Sequence, residues 1–121
     1  MPHLILEYAN NLDDSELNVP DLLELLTRTA IATGIFPEAG LRARAYRASH
    51  QRVAHGDPDV AFIHLSMNVG KGRELSIRQQ AGETLFAALK AYLAPLMTRR
   101  LISLSFEMRE IDDVKFNDRN F

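Results

Sequence analysis

Apolar and polar positions alternate along two stretches of the chain in the way that predicts β-strands. The run "VAFIHLSMNV" at 60–69 places one apolar set on a single face: Ala61, Ile63, Leu65, Met67 and Val69. In "LRARAYRAS" at 41–49, small apolar residues alternate with two arginines and a tyrosine. Because successive side chains of a strand point to opposite faces, each run predicts a half-exposed strand.

Two further runs predict strands near the two ends of the chain. "HLILEYA" at 3–9 is short, apolar and β-prone, and "RLISLSFEMREI" at 100–111 has the same character. The inward set of the later run is Ile102, Leu104 and Phe106, or the opposite register, and periodicity alone leaves that choice open.

A helical pattern separates the first two predicted strands. "NNLDDSELN" contains turn formers and acids, which predicts a loop, and "VPDLLELLTRTAIATG" follows it. Pro20 and Asp21 suit a helix start, and Gly34 suits the end. One face of this helix collects Leu22, Leu25, Leu26 and Thr29.

A second helical pattern separates the last two predicted strands. Ser76 with Gln79 matches a capping box, which predicts a helix start at that point. Apolar residues then recur at helical spacing, at Ala81, Leu85, Ala88, Leu89 and Tyr92. Pro95 is expected to end or kink this helix.

The elements repeat as two β-α-β units, about 2–52 and 59–111, with a polar tail at 112–121. Joining the units predicts one α+β domain over 1–121, with a four-stranded sheet and two helices on one face. The other sheet face would be bare, and its strands are apolar, so we expect other subunits to cover it. The two phenylalanines of the tail suggest that it docks on a neighbour.

Composition narrows the class of protein. The net charge is −2 and the basic residues are dispersed, so nucleic-acid binding has no electrostatic support. No apolar run approaches the roughly 20 residues of a membrane span. Cysteine is absent and no secretory signal pattern is visible, so a cytoplasmic location is expected.

The second residue raises a chemical possibility. If Met1 is trimmed, Pro2 carries a free secondary amine, and an unperturbed α-amino group has a pKa of roughly 7.7–8.0. Burial or a nearby cation would shift that pKa into the range of a base at neutral pH. The alternative is a proline tolerated at the start of a strand, where its missing N–H costs little.

Three sequence blocks together resemble one family. "MPH", "GIFPEAGLRAR" and "GKGRELSIRQQAGETLF", with "FIHLSM" and "SFEM" as further matches, resemble the 5-carboxymethyl-2-hydroxymuconate isomerase family of the tautomerase superfamily. The resemblance implies a homotrimer of duplicated β-α-β units that acts without a cofactor in bacterial homoprotocatechuate breakdown. It also implies that the amino-terminal proline is the catalytic base and that arginines hold a dicarboxylate or tricarboxylate substrate.

Carried over by position, the resemblance implies that Pro2 is the base and that Arg42 and Arg73 bind substrate. Single-unit relatives carry the proline and both arginines in every unit, whereas this chain divides them, so one complete site per chain is expected. Alternation alone does not separate Arg42 from Arg44, which share a strand face. The alternative without a functional role is that Arg42 is a solvated surface residue and that Arg73 pairs with Glu74 or with water.

Other candidate residues carry less weight. None of the four histidines has the spacing of a metal site, and His64 is expected to be a hydrogen-bonded structural residue on its strand. Phe36 is a candidate for the hydrophobic wall of the pocket. "GKGR" lacks the spacing of a phosphate-binding loop.

The resulting functional expectation is a cofactor-independent isomerase that converts the dienol 5-carboxymethyl-2-hydroxymuconate to its conjugated 2-oxo isomer. One alternative is a tautomerase acting on another 2-oxo acid, because the same base and arginines would serve. A second alternative is a non-catalytic trimeric protein that binds small carboxylates.

Overall fold

Four strands and three α-helices form the structure, a computed structural model that describes residues 1–121. The elements are β1 (His3–Tyr8), α1 (Asp14–Leu17), α2 (Val19–Ala32), β2 (Arg42–Arg47), β3 (Val60–Val69), α3 (Leu75–Met97) and β4 (Leu101–Glu110). A single 3-10 turn, Glu38–Gly40, precedes β2. None of the helices combines the length and the apolar character that crossing a membrane requires.

The strands form one sheet in the order β2-β1-β3-β4. Within each β-α-β unit the two strands are parallel, β1 with β2 and β3 with β4, as a helical crossover requires. The units meet through the antiparallel pair β1 and β3, where Leu6 lies opposite Leu65. The predicted α+β architecture, a four-stranded sheet with two long helices on one face, is confirmed.

One face of the sheet packs against α2 and α3. The alternation predicted for β3 holds, and its five apolar residues are buried. Leu22, Leu26 and Ala30 of α2 cover them together with Leu85, Leu89 and Leu93 of α3. The register left open for β4 is settled by the same core, because Ile102, Leu104 and Phe106 pack against it.

The ends of the long helices follow the predictions only in part. Helix α2 ends just before Gly34, whose φ of +77° is the conformation expected of a helix-terminating glycine. The capping box predicted at Ser76 is wrong, since Glu74 is the N-cap of α3 and the helix begins two residues earlier than that box implies. Pro95 lies inside α3, which continues to Met97 because the buried Leu93 and Leu96 hold the last turn against the core.

The acidic segment predicted as a loop contains the short helix α1. The backbone N–H of Asp13 donates to Glu16 Oε1 at 3.1 Å, which satisfies a donor at the helix start. Leu12, two residues before α1, and Leu17, its last residue, are both fully buried. Two buried leucines therefore draw this polar stretch onto the core.

The open face of the sheet is more polar than the sequence suggested. His64 on β3 shares a hydrogen bond of 2.6 Å with Ser105 Oγ through Nδ1, and its Nε2 lies 3.2 Å from Glu107 Oε1. The prediction of a hydrogen-bonded His64 is confirmed. Aliphatic Ile5 lies half-buried at the centre of the same face.

Candidate functional site

The amino terminus lies at the edge where β1 and β2 begin side by side. Pro2 is buried, and its carbonyl oxygen accepts a hydrogen bond of 3.0 Å from the backbone N–H of Arg42. This bond extends the parallel pairing of the two strands by one residue. The start of the chain is therefore held firmly beside the start of β2.

A cavity of about 410 Å³ surrounds the first residue. Met1 lines it together with Pro37 and Gly40, and residues 117–119 of the tail form the remaining wall. A Cβ added at Gly40 would stand 3.7 Å from the Cα of Met1. Met1 therefore occupies space directly in front of the Pro2 nitrogen, bounded by the segment before β2 and by the tail.

The environment of the amino terminus favours the neutral amine. Burial lowers the pKa of the Met1 α-amino group, and the positive charges of Lys115, Arg73, Arg119 and Arg42 lower that pKa further, in that order. All four neighbouring charges are cations. An amine in such a place is unprotonated at a lower pH than an ordinary chain terminus.

Backbone carbonyls hold Arg73, which forms no ion pair with Glu74. Its Nε and Nη2 donate to the carbonyl oxygen of Ile35 at 3.2 and 2.8 Å, and Nη1 donates to Gly70 O at 3.1 Å. The guanidinium carbon lies 5.0 Å from the centre of the Phe36 ring. Phe36 is itself buried, so it forms the floor beneath Arg73.

The fold separates the two arginines that strand alternation left equivalent. Arg44 Nη1 lies 3.0 Å from His3 Nδ1 on the open face of the sheet. Burial, and then the charge of Arg44, lower the pKa of His3, so the neutral ring accepts this hydrogen bond. Arg42 instead bonds through Nη1 to Ala39 O at 2.9 Å and Leu41 O at 3.0 Å, which leaves its other N–H groups uncommitted.

The tail contributes site residues that sequence reasoning missed. Lys115 and Arg119 join Arg42 and Arg73 around the amino terminus, and the Phe121 ring centre lies 5.6 Å from the guanidinium carbon of Arg42. In this structure of a single chain the segment lies along its own chain, and its docking on a neighbouring subunit stays a prediction. The sequence gives no sign that these residues approach the amino terminus, because more than a hundred positions separate them from it.

These groups together can bind an anion and move a proton. Guanidinium groups offer forked donors that match carboxylates, and charge-assisted hydrogen bonds of this kind are among the stronger ones. A neutral amine among cations can accept a proton, and the same cations stabilise negative charge that develops nearby. The arrangement fits acid-base chemistry on a small polyanion.

Comparison with known proteins gives a consistent picture. A sequence model of the 5-carboxymethyl-2-hydroxymuconate isomerase family matches residues 2–121. The chain is 43% identical over 111 residues to the Escherichia coli 5-carboxymethyl-2-hydroxymuconate Delta-isomerase, covering 92% of this chain and 87% of that protein.

Solved structures with a similar fold include one of moderate and one of low sequence identity. The 5-carboxymethyl-2-hydroxymuconate isomerase from Deinococcus radiodurans R1 superimposes with a TM-score of 0.89 at 37% identity, covering 99% of this chain and 90% of that one. A structure described as a fused 4-OT wild-type symmetric trimer gives a TM-score of 0.65 at 18% identity, covering 98% and 92%. The second likeness concerns the fold alone.

Proposed function

The chain belongs to the 5-carboxymethyl-2-hydroxymuconate isomerase family, and from that premise we propose that it converts the dienol 5-carboxymethyl-2-hydroxymuconate to its conjugated 2-oxo isomer. Its relatives are named as isomerases, which supports an enzyme of this class. The observation that carries the proposal is the buried Pro2, held beside the start of β2, with four cations near the amino terminus.

Pro2 is the proposed base. Removal of Met1 converts the Pro2 nitrogen from an amide, which cannot accept a proton, into a secondary amine. That amine takes the proton from the 2-hydroxyl oxygen of the substrate and delivers it to a carbon several bonds away along the diene. The proton that leaves oxygen is the one that arrives on carbon, so the step balances and calls for no cofactor.

Arg42 and Arg73 are the proposed substrate-binding residues. Arg42 retains uncommitted N–H groups and binds a carboxylate or the 2-oxo group, where it stabilises the dienolate charge that forms during transfer. Arg73 is held rigidly by Ile35 O and Gly70 O and presents its charge at a fixed place. The charges of both residues also lower the pKa of the α-amino group at the amino terminus.

We propose a homotrimer as the working form. A neighbour of the same fold is described as a symmetric trimer, which supports this assembly. The open sheet face and the exposed edge of β4 supply contact surface, and an apolar groove of about 350 Å³ between α3 and β4 adds to it. The cytoplasmic location and the place in homoprotocatechuate breakdown remain predictions.

The test of the base is Pro2→Ala in a chain whose Met1 removal has been verified by mass spectrometry. Turnover, followed by the ultraviolet change from dienol to enone, is expected to fall by about 10²- to 10⁴-fold, the usual contribution of a positioned base. Circular dichroism serves to confirm that the variant is folded. A matched control retains a residue ahead of Pro2, which blocks the amine and is expected to silence the enzyme equally.

Unchanged turnover in Pro2→Ala would remove the base assignment. Turnover on a different 2-oxo acid but not on this dienol would favour another tautomerase. Tight binding of the carboxylates with no turnover by the intact chain would favour the non-catalytic binding protein.

A further inference from the structure

The last ten residues, 112–121, return to the amino-terminal end of the sheet and bring two cations with them. An ion pair of 3.5 Å between Lys71 Nζ and Asp113 Oδ2 ties the segment to the connection between β3 and α3. Lys115 Nζ lies 3.1 Å from the point where a Cβ on Gly70 would stand. The ammonium group of Lys115 therefore lies close to the backbone of Gly70.

The end of the segment forms one wall of the cavity around Met1. Arg119 lines that cavity with Asn117 and Asp118. The Phe121 ring centre lies 5.9 Å from the guanidinium carbon of Arg119 and 5.6 Å from that of Arg42. The ring thus contacts one arginine of the strand and one of the tail, which keeps both near the same opening.

The charge around this opening is unbalanced. Of the 14 lysines and arginines, six form ion pairs with carboxylates and eight do not. Four of those eight surround the amino terminus: Arg42, Arg73, Lys115 and Arg119. Asp118 lines the same cavity but forms no ion pair with any of them. Four cations beside one carboxylate that pairs with none of them leave an excess of positive charge, which indicates a ligand with several negative charges.

We propose that Lys115 and Arg119, carried by the segment 112–121, form a subsite for a third carboxylate and thereby make the pocket selective for tricarboxylates over dicarboxylates. The inference rests on the proposed function, whose substrate is a muconate, with two carboxylates, that also bears a carboxymethyl group. Arg42 and Arg73 account for two of the three charges. A third carboxylate without a partner would lose its hydration on entry and gain nothing in return.

The test compares two probes that differ by one carboxylate, tricarballylate and glutarate, by titration calorimetry at one low ionic strength. The native mature chain is expected to bind tricarballylate more tightly than glutarate. In the double variant Lys115→Gln/Arg119→Gln, tricarballylate binding is expected to weaken at least about tenfold, as loss of charge-assisted contacts predicts, while glutarate binding is unchanged. Lys90→Gln, which removes an unpaired cation at the far end of α3, is the matched control and should change neither.

Equal weakening toward both probes would overturn the subsite, because it would mean that the tail acts on the whole pocket. Equal binding of the two probes by the native chain, or no change in the double variant, would also overturn it. The binding assay needs no turnover. It therefore tests the subsite even if Pro2→Ala shows that Pro2 is not the base. Suppose that turnover depends on Pro2 but the double variant still prefers tricarballylate over glutarate as the native chain does. That result would contradict the subsite and leave the proposed function in place.

Discussion

At the scale of single residues, the amino-terminal amine is controlled by charges that the chain collects from distant positions. Arg42 lies on β2, Arg73 follows β3, and Lys115 and Arg119 belong to the tail. Arg73 also has a structural task, since it joins Ile35 to Gly70 through backbone carbonyls. Its charge and its hydrogen bonds can be separated by substitution.

Arg73→Gln is expected to lower kcat/KM by about 10- to 150-fold, as loss of a charge-assisted contact of about 1.5–3 kcal/mol implies. The base acts only when unprotonated, so activity is present above its pKa and lost below it. Because Arg73 lowers the pKa of the amine, removal of its charge raises that pKa and moves the acid limb of the kcat/KM profile to higher pH.

The control for this experiment is Arg73→Lys, which keeps the positive charge but loses the fork. Its acid limb should stay near that of the native enzyme while KM rises. Arg42→Gln should behave like Arg73→Gln in substrate handling. An unmoved acid limb in Arg73→Gln, with kcat and KM also unchanged, would place the pocket elsewhere.

At the scale of elements, ion pairs of Glu16 with Arg99 and Arg100 tie the two β-α-β units together. Glu16 on α1 accepts hydrogen bonds of 2.8 Å at both carboxylate oxygens from Arg100 Nη1, just before β4. Arg100 Nη2 also donates to Asn11 O at 2.6 Å. The backbone N–H of Asp13, and then the bonds and charge of Arg100, lower the pKa of Glu16, although partial burial opposes them.

Glu16→Gln is expected to reduce the free energy of unfolding at pH 7 by about 1–2 kcal/mol, measured by urea titration. A carboxyl with a lowered folded-state pKa contributes stability above its unfolded pKa of about 4.3, and loses that contribution as the pH falls through the folded value. The difference between native and variant should therefore shrink below about pH 4. Glu83→Gln, an exposed carboxylate on α3, is the control and should change stability little.

At the scale of the whole molecule, the open sheet face and the exposed edge of β4 are the surfaces that we expect to form the proposed trimer. We predict a solution mass near three times the 13.7 kDa of the chain, measured by light scattering after gel filtration. Ile5→Glu puts a charge at the centre of the open face without touching the core, so it should shift the mass toward the monomer. Ile77→Glu on the outer surface of α3 is the matched control. A native mass of one chain would contradict the trimer.

Much of the architecture could be predicted because it is local. Strict alternation over β3 and helical spacing over α2 follow from side-chain geometry within each element. The alternation over β3 was confirmed. The helix α2 was confirmed too, but of its predicted face only Leu22 and Leu26 are buried, while Leu25 and Thr29 are half-buried.

The prediction of a loop failed at α1, where the buried Leu12 and Leu17 draw an acidic stretch inward. At Pro95 the helix does not end at once, because packing of Leu93 and Leu96 prolongs α3 to Met97. The division of the chain into repeated units at 2–52 and 59–111 stays a prediction.

The sequence by itself determined the α+β class, the parallel pairing of the two strands within each unit, and the family. These features could be predicted because hydrophobic periodicity and sequence motifs are properties of residues that are close together in the chain. Only the tertiary structure decided which arginine faces the amino terminus, the register of β4 and the approach of Lys115 and Arg119. These depend on contacts between segments far apart in the chain. The positive electrostatic potential around Pro2 is the sum of charges from these segments, so it forms only when the sheet and the tail are folded together.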